Sequence, residues 1–239
     1  MRSGTPKDPM TDTPLRLCVL DVDGTLVDSI HNIAAAMTMA AASHGIVCPP
    51  EDRCRRVVGL ELVEAVATLF PDHDDAVHRR IAESYKDAFQ TLRARPDHVE
   101  HLYPGTLDAL AALEERGILL GIATGKSRRG VDKMLERHGL EGRFLTIQTV
   151  DDNPGKPHPG MLRRAMGEVG VEPENTVMVG DTSYDMKMAR AAGTGAVGVA
   201  WGYHPVVELH EAGAHKVIDA YEALIGATAG IWDMKGGLV

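Results

Sequence analysis

The chain is poor in cysteine, in cationic charge and in long apolar runs, and each shortage excludes a class of protein. Only Cys18, Cys48 and Cys54 occur among 239 residues. Their number is odd and no Cys-x-x-Cys pair is present, so neither a disulfide framework nor a cysteine zinc site is supported. A reducing, cytoplasmic compartment fits free thiols, and Cys18 lies in an apolar run where it reads as buried packing. Acids outnumber Lys and Arg by 34 to 25, a formal net charge of -9. That deficit argues against a nucleic-acid partner, since phosphate backbones select basic surfaces. It argues equally against attachment to an anionic membrane. No apolar stretch approaches the ~20 residues needed to span a bilayer. Residues 1–14 are polar, hold three prolines and lack the apolar middle of a signal peptide, so a loose tail is expected there. No internal repeat and no low-complexity segment is present.

What remains is an ordinary globular balance, 44% hydrophobic and 25% charged, in a chain long enough for one core domain with an insertion. Leu15 to Asp23 is a short apolar run ending in two acids. Ile118 to Thr124, Phe144 to Val150, Thr176 to Asp181 and Gly195 to Trp201 look alike. Continuous rather than alternating apolar strands indicate a sheet covered on both faces. Helical stripes lie between them: Leu107, Leu110 and Leu113 before Gly117; Val131, Met134 and Leu135 before Gly139; Met161, Leu162, Ala165 and Met166 before Gly170. Each glycine is a stop signal. Alternating strands and helices with short connections predict a doubly wound parallel α/β domain.

One stretch breaks the alternation. From Asp28 to about Glu100 no strand is expected. Ile30, Ile33 and Met37 make one stripe, with Ser29 as N-cap and Gly45 beyond its end. Leu60, Val63, Ala67 and Phe70 make a second; Val77, Ile81, Tyr85, Ala88 and Leu92 make a third, closed by Pro96. The expected division is therefore a core of 15–27 and 101–239 with a helical insertion at 28–100.

In open parallel sheets ligands bind beyond the carboxyl ends of the strands. Four such ends carry Asp21 and Asp23; Thr124, Gly125 and Lys126; Lys156, in the loop after the third; and Asp181, with Asp185 four residues on. Converging carboxylates repel unless a cation neutralises them. Acids without His or Cys partners prefer a hard cation with oxygen ligands, for which Mg²⁺ is suited. Thr124, Lys156 and the backbone N–H groups of the turn after Asp21 then suit phosphate oxygens.

The segment Asp21 to Ser29 reads DVDGTLVDS; Thr124 ends a strand; Lys156 precedes Pro157; Gly180, Asp181 and Asp185 form Gly-Asp-x-x-x-Asp. In this order these motifs resemble the haloacid dehalogenase superfamily, in its phosphoglycolate phosphatase-like branch, over residues 15 to about 217. The resemblance implies a Rossmann-like core with a helical cap and a Mg²⁺-dependent phosphatase of a small phosphorylated metabolite, phosphoglycolate being favoured. It implies Asp21 as nucleophile and Asp23 as general acid and base. Thr124, Gly125 and Lys156 would hold phosphate. Mg²⁺ would take the Asp21 carboxylate, the Asp23 carbonyl and Asp181, with Asp185 behind them. Dehalogenases lack an acid two residues after the nucleophile, so Asp23 favours phosphoryl transfer. A sugar-phosphate mutase, a pyrophosphatase and a non-enzymatic phosphate-binding protein are the rival readings.

Each residue also has a plainer reading. Thr124 would cap the helix near Ser127, Asp185 would favour a helix N-terminus, Lys156 would be a loop lysine, and Asp28 and Ser29 would only start a helix. His158 reads as a loop residue. Arg53, Arg55 and Arg56 read as a solvated face, with a substrate-facing arginine as the alternative.

Overall fold

The computed structural model describes residues 14–95 and 98–236. Of the tail expected at 1–14, residues 1–13 lie outside them, as does the stop at Pro96. Strand β1 (Leu17–Leu20) stands inside a six-stranded parallel sheet. Its other members are β4 (Leu119–Thr124), β5 (Thr146–Thr149), β6 (Thr176–Gly180), β7 (Gly195–Val199) and β8 (Lys216–Ile218), in the order β5-β4-β1-β6-β7-β8. All pairings are parallel.

Every residue of β1 is buried, and successive side chains serve opposite faces. Cys18 and Leu20 pack into a core with α5 (Thr106–Glu114), α6 (Arg128–His138) and α10 (Leu224–Gly236). Leu17 and Val19 pack into a second core with α7 (Gly160–Val169), α8 (Ser183–Ala192) and α9 (Val206–Glu211). The run is continuously apolar for this reason: a strand covered on both faces has no solvent side to mark with polar residues. Burying each such Leu or Val contributes about 1.5–3 kcal/mol. The doubly wound α/β core expected from the sequence is what the chain forms.

The chain leaves β1 for β4 and β5 on one side, then returns to β6 on the other, so the strand order reverses between β1 and β6. A crevice opens at such a reversal. Asp21 follows β1 and Asp181 follows β6.

Between β2 (Val27–Asp28) and β3 (His101–Leu102), which pair antiparallel, run α1 (Ile30–Ala42), α2 (Glu51–Arg55), α3 (Leu62–Leu69) and α4 (Asp75–Arg93). They have an apolar cluster of their own, built on Met37, Cys54, Val66, Leu69 and Ile81. The sequence patterns missed α2, the β2–β3 pair and β8, all too short to show a period. They also misplaced the second stripe: α3 buries Ala65, Val66 and Leu69, and Leu60 precedes the helix. The short spacing of Leu62, Val63, Val66 and Leu69 supports two faces equally well, and only contact with α4 chooses one. Among the described residues no helix is long and apolar enough to cross a membrane.

Candidate functional site

Beyond the carboxyl ends of β1 and β6, three carboxylates converge, and two of them meet one lysine. Lys156 Nζ lies 2.8 Å from Asp21 Oδ2 and 2.7 Å from Asp185 Oδ1. Ligand oxygens of Asp21, Asp181 and Asp185 lie within 4.8 Å of one another, and all three residues are buried. Lys156 is 1% exposed, which removes its reading as a loop lysine in solvent.

Local structure aims each acid. The Val22 N–H donates to Asp21 Oδ1 (2.7 Å). Thr25 Oγ1 and the Tyr203 N–H donate to the two oxygens of Asp181, both at 2.9 Å. Asp185 serves twice: its Oδ2 accepts from the Thr182 N–H and hydroxyl, closing a capping box on α8, while its Oδ1 faces Lys156. The helix-terminal reading of Asp185 and its place in the cluster are both correct. Gly24 turns at φ +82, and a Cβ there would overlap the Asp181 carboxylate. Only glycine combines that φ with so close an approach.

Three acids against one lysine leave an excess of buried negative charge. Burial pushes the Asp21 carboxyl up to about 6; Lys156 opposes this and Asp185 adds to it. Burial, then Asp185 and Asp21, raise Asp181 well above the carboxylate range. Burial pulls the Lys156 ammonium down, but Asp185 and Asp21 outweigh it and raise it overall. The donor set is all hard oxygen, buried and under-neutralised, and it fits a small divalent cation.

This excess has a measurable consequence. A carboxyl raised from 3.8 to about 6 on folding binds its proton more tightly folded than unfolded. Its contribution to stability is therefore full below about pH 4 and is lost as pH rises through about 6, up to about 3 kcal/mol at 1.4 kcal/mol per pKa unit. In chelator, the melting temperature of Asp21→Asn is expected to gain on that of the wild type between these pH values. A difference independent of pH would contradict the strain assigned to Asp21.

The carboxylate of Asp23 stands apart from the acid cluster. Its Oδ1 accepts from Ser29 Oγ (2.6 Å) and from Lys126 Nζ (2.7 Å). This corrects one expectation, that Ser29 caps α1. Asp23 adds no carboxylate to the cluster, so only its backbone carbonyl remains for a cation. Ser29, at the N-cap position of α1, makes no capping bond, and its hydroxyl turns to Asp23 instead. Thr124 ends β4 and accepts from the Lys126 N–H (3.2 Å), which leaves its hydroxyl proton free to donate. Ser127, not Thr124, caps α6 through the Gly130 N–H.

Asp21, Asp23, Thr124, Gly125 and Lys126 line a cavity of about 520 Å³. Ile33, Met37, Tyr85 and Phe89 supply its apolar wall from α1 and α4, and Lys86, Arg93 and Arg129 its cations. Gly59, in the α2–α3 loop, touches the core where a Cβ on Gly125 would sit, 3.5 Å from its Cα. Arg56 pairs with Glu208 of α9 (2.7 Å) and Arg55 with Glu51 (3.2 Å), so these two arginines brace the helical segment. His158 is an exposed turn residue that accepts from the Gly160 N–H. Lys126, Glu100 and Ser29 carry site contacts that no sequence pattern assigned to them.

Residues 18–199 match the family described as haloacid dehalogenase-like hydrolase. The chain belongs to that family. It is an enzyme, a hydrolase. It is 35% identical over 219 residues to the Dickeya dadantii protein named "Probable phosphatase IndB", covering 88% of this chain and 92% of that one. It is 30% identical to a phosphoglycolate phosphatase of Vibrio vulnificus, covering 82% of this chain and 88% of that one. A crystal structure of a hydrolase from Pseudomonas syringae superposes with a TM-score of 0.79 at 26% identity, covering 90% of this chain and 99% of that one. This haloacid dehalogenase-like hydrolase thus resembles its relatives over core and helical segment alike.

Proposed function

We propose that this chain is a Mg²⁺-dependent phosphatase that hydrolyses a small phosphate monoester through an aspartyl phosphate on Asp21. The observation that carries the reading is the division of labour between two acids at one cavity. Asp21 is held with Lys156 among the acid cluster; Asp23 is held apart from it by Ser29 and Lys126.

In the first step an Asp21 oxygen bonds to phosphorus as the ester P–O bond breaks. Asp23 gives its proton to the departing oxygen. In the second, Asp23, now a carboxylate, takes a proton from water, whose oxygen displaces Asp21 from phosphorus. Free phosphate leaves and Asp23 is again an acid. Lys156 neutralises Asp21 so that an anionic ester can approach, and Thr124 and the Gly125 region hold the transferring oxygens. Asp21, Asp181 and the Asp23 carbonyl would hold Mg²⁺, with Asp185 supporting them; the ion supplies charge neutralisation to the phosphoryl oxygens. Residues 28–100 would act as a cap that closes the cavity over the ester and excludes water.

The relatives named phosphoglycolate phosphatase favour phosphoglycolate, and Lys86, Arg93 and Arg129 at the cavity offer cations for its second anion. A cytoplasmic small metabolite suits the unpaired thiols and the acidic net charge.

The test is phosphate release from a panel of small esters, pyrophosphate and hexose phosphates, with Mg²⁺ and with EDTA. Turnover of a monoester that EDTA stops is expected, with phosphoglycolate among the best members. Faster hydrolysis of pyrophosphate, or phosphoryl migration within a sugar without net release, would replace the reading. Silence across the panel in a folded, magnesium-replete protein would sink it.

A further inference from the structure

We propose that Glu100 is a positioning residue for Asp23: it stands as a second counter-ion to Lys126, so that Lys126 can release Asp23 to the leaving oxygen. The proposal rests on the reading of Asp23 as general acid.

Asp23 is bound tightly where it stands. Its Oδ1 takes the Ser29 hydroxyl at 2.6 Å and the Lys126 ammonium at 2.7 Å. Charge-assisted bonds of this kind are among the strongest a side chain makes. An acid that must reach a leaving oxygen has to loosen that grip. Loosening it would strand an ammonium, because Lys126 is 8% exposed, and a buried charge without a partner is strongly disfavoured.

The same ammonium has a second carboxylate. Glu100 Oε1 lies 3.1 Å from Lys126 Nζ, and Glu100 is itself buried. When Asp23 turns away, Lys126 keeps an opposite charge within hydrogen-bond distance. Burial pulls the Lys126 ammonium down, while Asp23 and Glu100 together hold it up. Two acids sharing one lysine is an arrangement that stability alone does not call for, since a buried lysine needs one partner.

Placement ties the device to the helical segment. Ser29 stands where the chain enters α1, and Glu100 stands where it returns to β3. His98 Nε2 lies 3.8 Å from Glu100 Oε2, and the His98 ring meets Phe89 of α4 edge-on at 6.4 Å. Lys126 Nζ lies 5.5 Å from the same Phe89 ring. Arg137 of α6 donates to the His98 carbonyl (2.9 Å) and fastens this return to the core. Ser29, which holds Asp23, and Glu100, which offers Lys126 an alternative, therefore sit at the two crossings between core and helices. A shift of the helices over substrate moves Ser29 and Glu100 relative to Asp23.

The experiment is a leaving-group comparison. Asp23 assists an alkyl ester, whose alkoxide leaves badly, far more than p-nitrophenyl phosphate, whose phenolate leaves without a proton. General acid assistance is worth about 10²–10⁴-fold. Glu100→Gln is expected to lower kcat/KM on the alkyl ester by about tenfold, a fraction of that assistance, and on p-nitrophenyl phosphate by less than about twofold. In an Asp23→Asn background the same substitution is expected to add nothing on the alkyl ester, because residues acting through one group are not additive. Adding Lys126→Met to Glu100→Gln removes the cation that holds Asp23 and is expected to recover the alkyl ester. If Glu100→Gln alone melts out, Glu100→Asp, which keeps the charge but shortens its reach to Lys126, takes its place and is expected to slow the alkyl ester with the same selectivity.

An equal fall on both esters would overturn the proposal. So would a full Glu100→Gln effect without Asp23, or a folded double variant that stays slow on the alkyl ester alone. If Asp23→Asn itself shows no leaving-group preference, the reading of Asp23 fails and takes this proposal with it.

Discussion

Asp21→Asn is expected to reduce phosphate release by about 10⁴-fold or more, the scale seen when a covalent nucleophile is removed. The amide keeps the shape of the side chain and its contact with the Val22 N–H, so the loss reads chemistry rather than folding. It cannot carry the phosphoryl group: an amide is a poor nucleophile and holds no negative charge. The chelator-dependent melting curve separates the two effects, since relief of a buried carboxylate should leave the variant as stable as the wild type or more so near neutral pH. Trapping a phosphorylated protein with wild type but not with the variant, in a quenched single turnover, would place the bond on Asp21. Activity within about tenfold of wild type would end the nucleophile assignment.

Lys156→Met is expected to fail in stability and in catalysis together. The ammonium is the charge that neutralises Asp21 and Asp185 directly, with Asp181 close beside them. Methionine fills much of the volume but leaves buried carboxylates without a cation. Breaking a buried pair in this way costs about 3–5 kcal/mol, on the order of 6–20 °C in melting temperature for a chain of this size. Added Mg²⁺ is expected to return more stability to the variant than to wild type, because the ion would supply the missing positive charge. Turnover should nevertheless remain lower by about 10²–10³-fold, since loss of a preorganised charge at the transferring group is not repaired elsewhere. Melting that is unchanged in chelator would refute the electrostatic account of the cluster. Melting that falls without recovery in Mg²⁺ would point to packing instead.

Together the two variants separate the parts played by one contact. Asp21→Asn removes a negative charge from an over-charged cluster; Lys156→Met removes the positive one. Their stability effects should therefore have opposite signs, while both lose activity. A cluster held together by packing alone would lose stability in both variants.

Much of this protein was legible in the sequence because the signals are local. Leu17–Leu20 is apolar at every position, which states that both faces are covered before any partner is known. Gly139 and Gly170 close α6 and α7 in the left-handed conformation, a requirement on one residue's backbone. The acids at strand ends could be named from position alone, because a parallel sheet sends all its carboxyl ends to one side. Family motifs then ordered them.

The rest depended on distance in space. Lys126 reaches Asp23 across 103 positions of chain, and no spacing rule connects a lysine after β4 with an acid after β1. Glu100 reads as the end of a helical insertion until folding buries it beside that lysine. Ser29 occupies the site of an N-cap, but a nearby carboxylate competes for its hydroxyl and wins. The Asp23 side chain leaves the acid cluster for the same reason: a buried carboxylate goes where a cation and a hydroxyl already stand. The sequence by itself determined the layered fold, the family and the acids that meet. Only the tertiary structure decided which charges pair, because the strength of a buried ion pair is set by separation and loss of water, and neither is a property of residues in order.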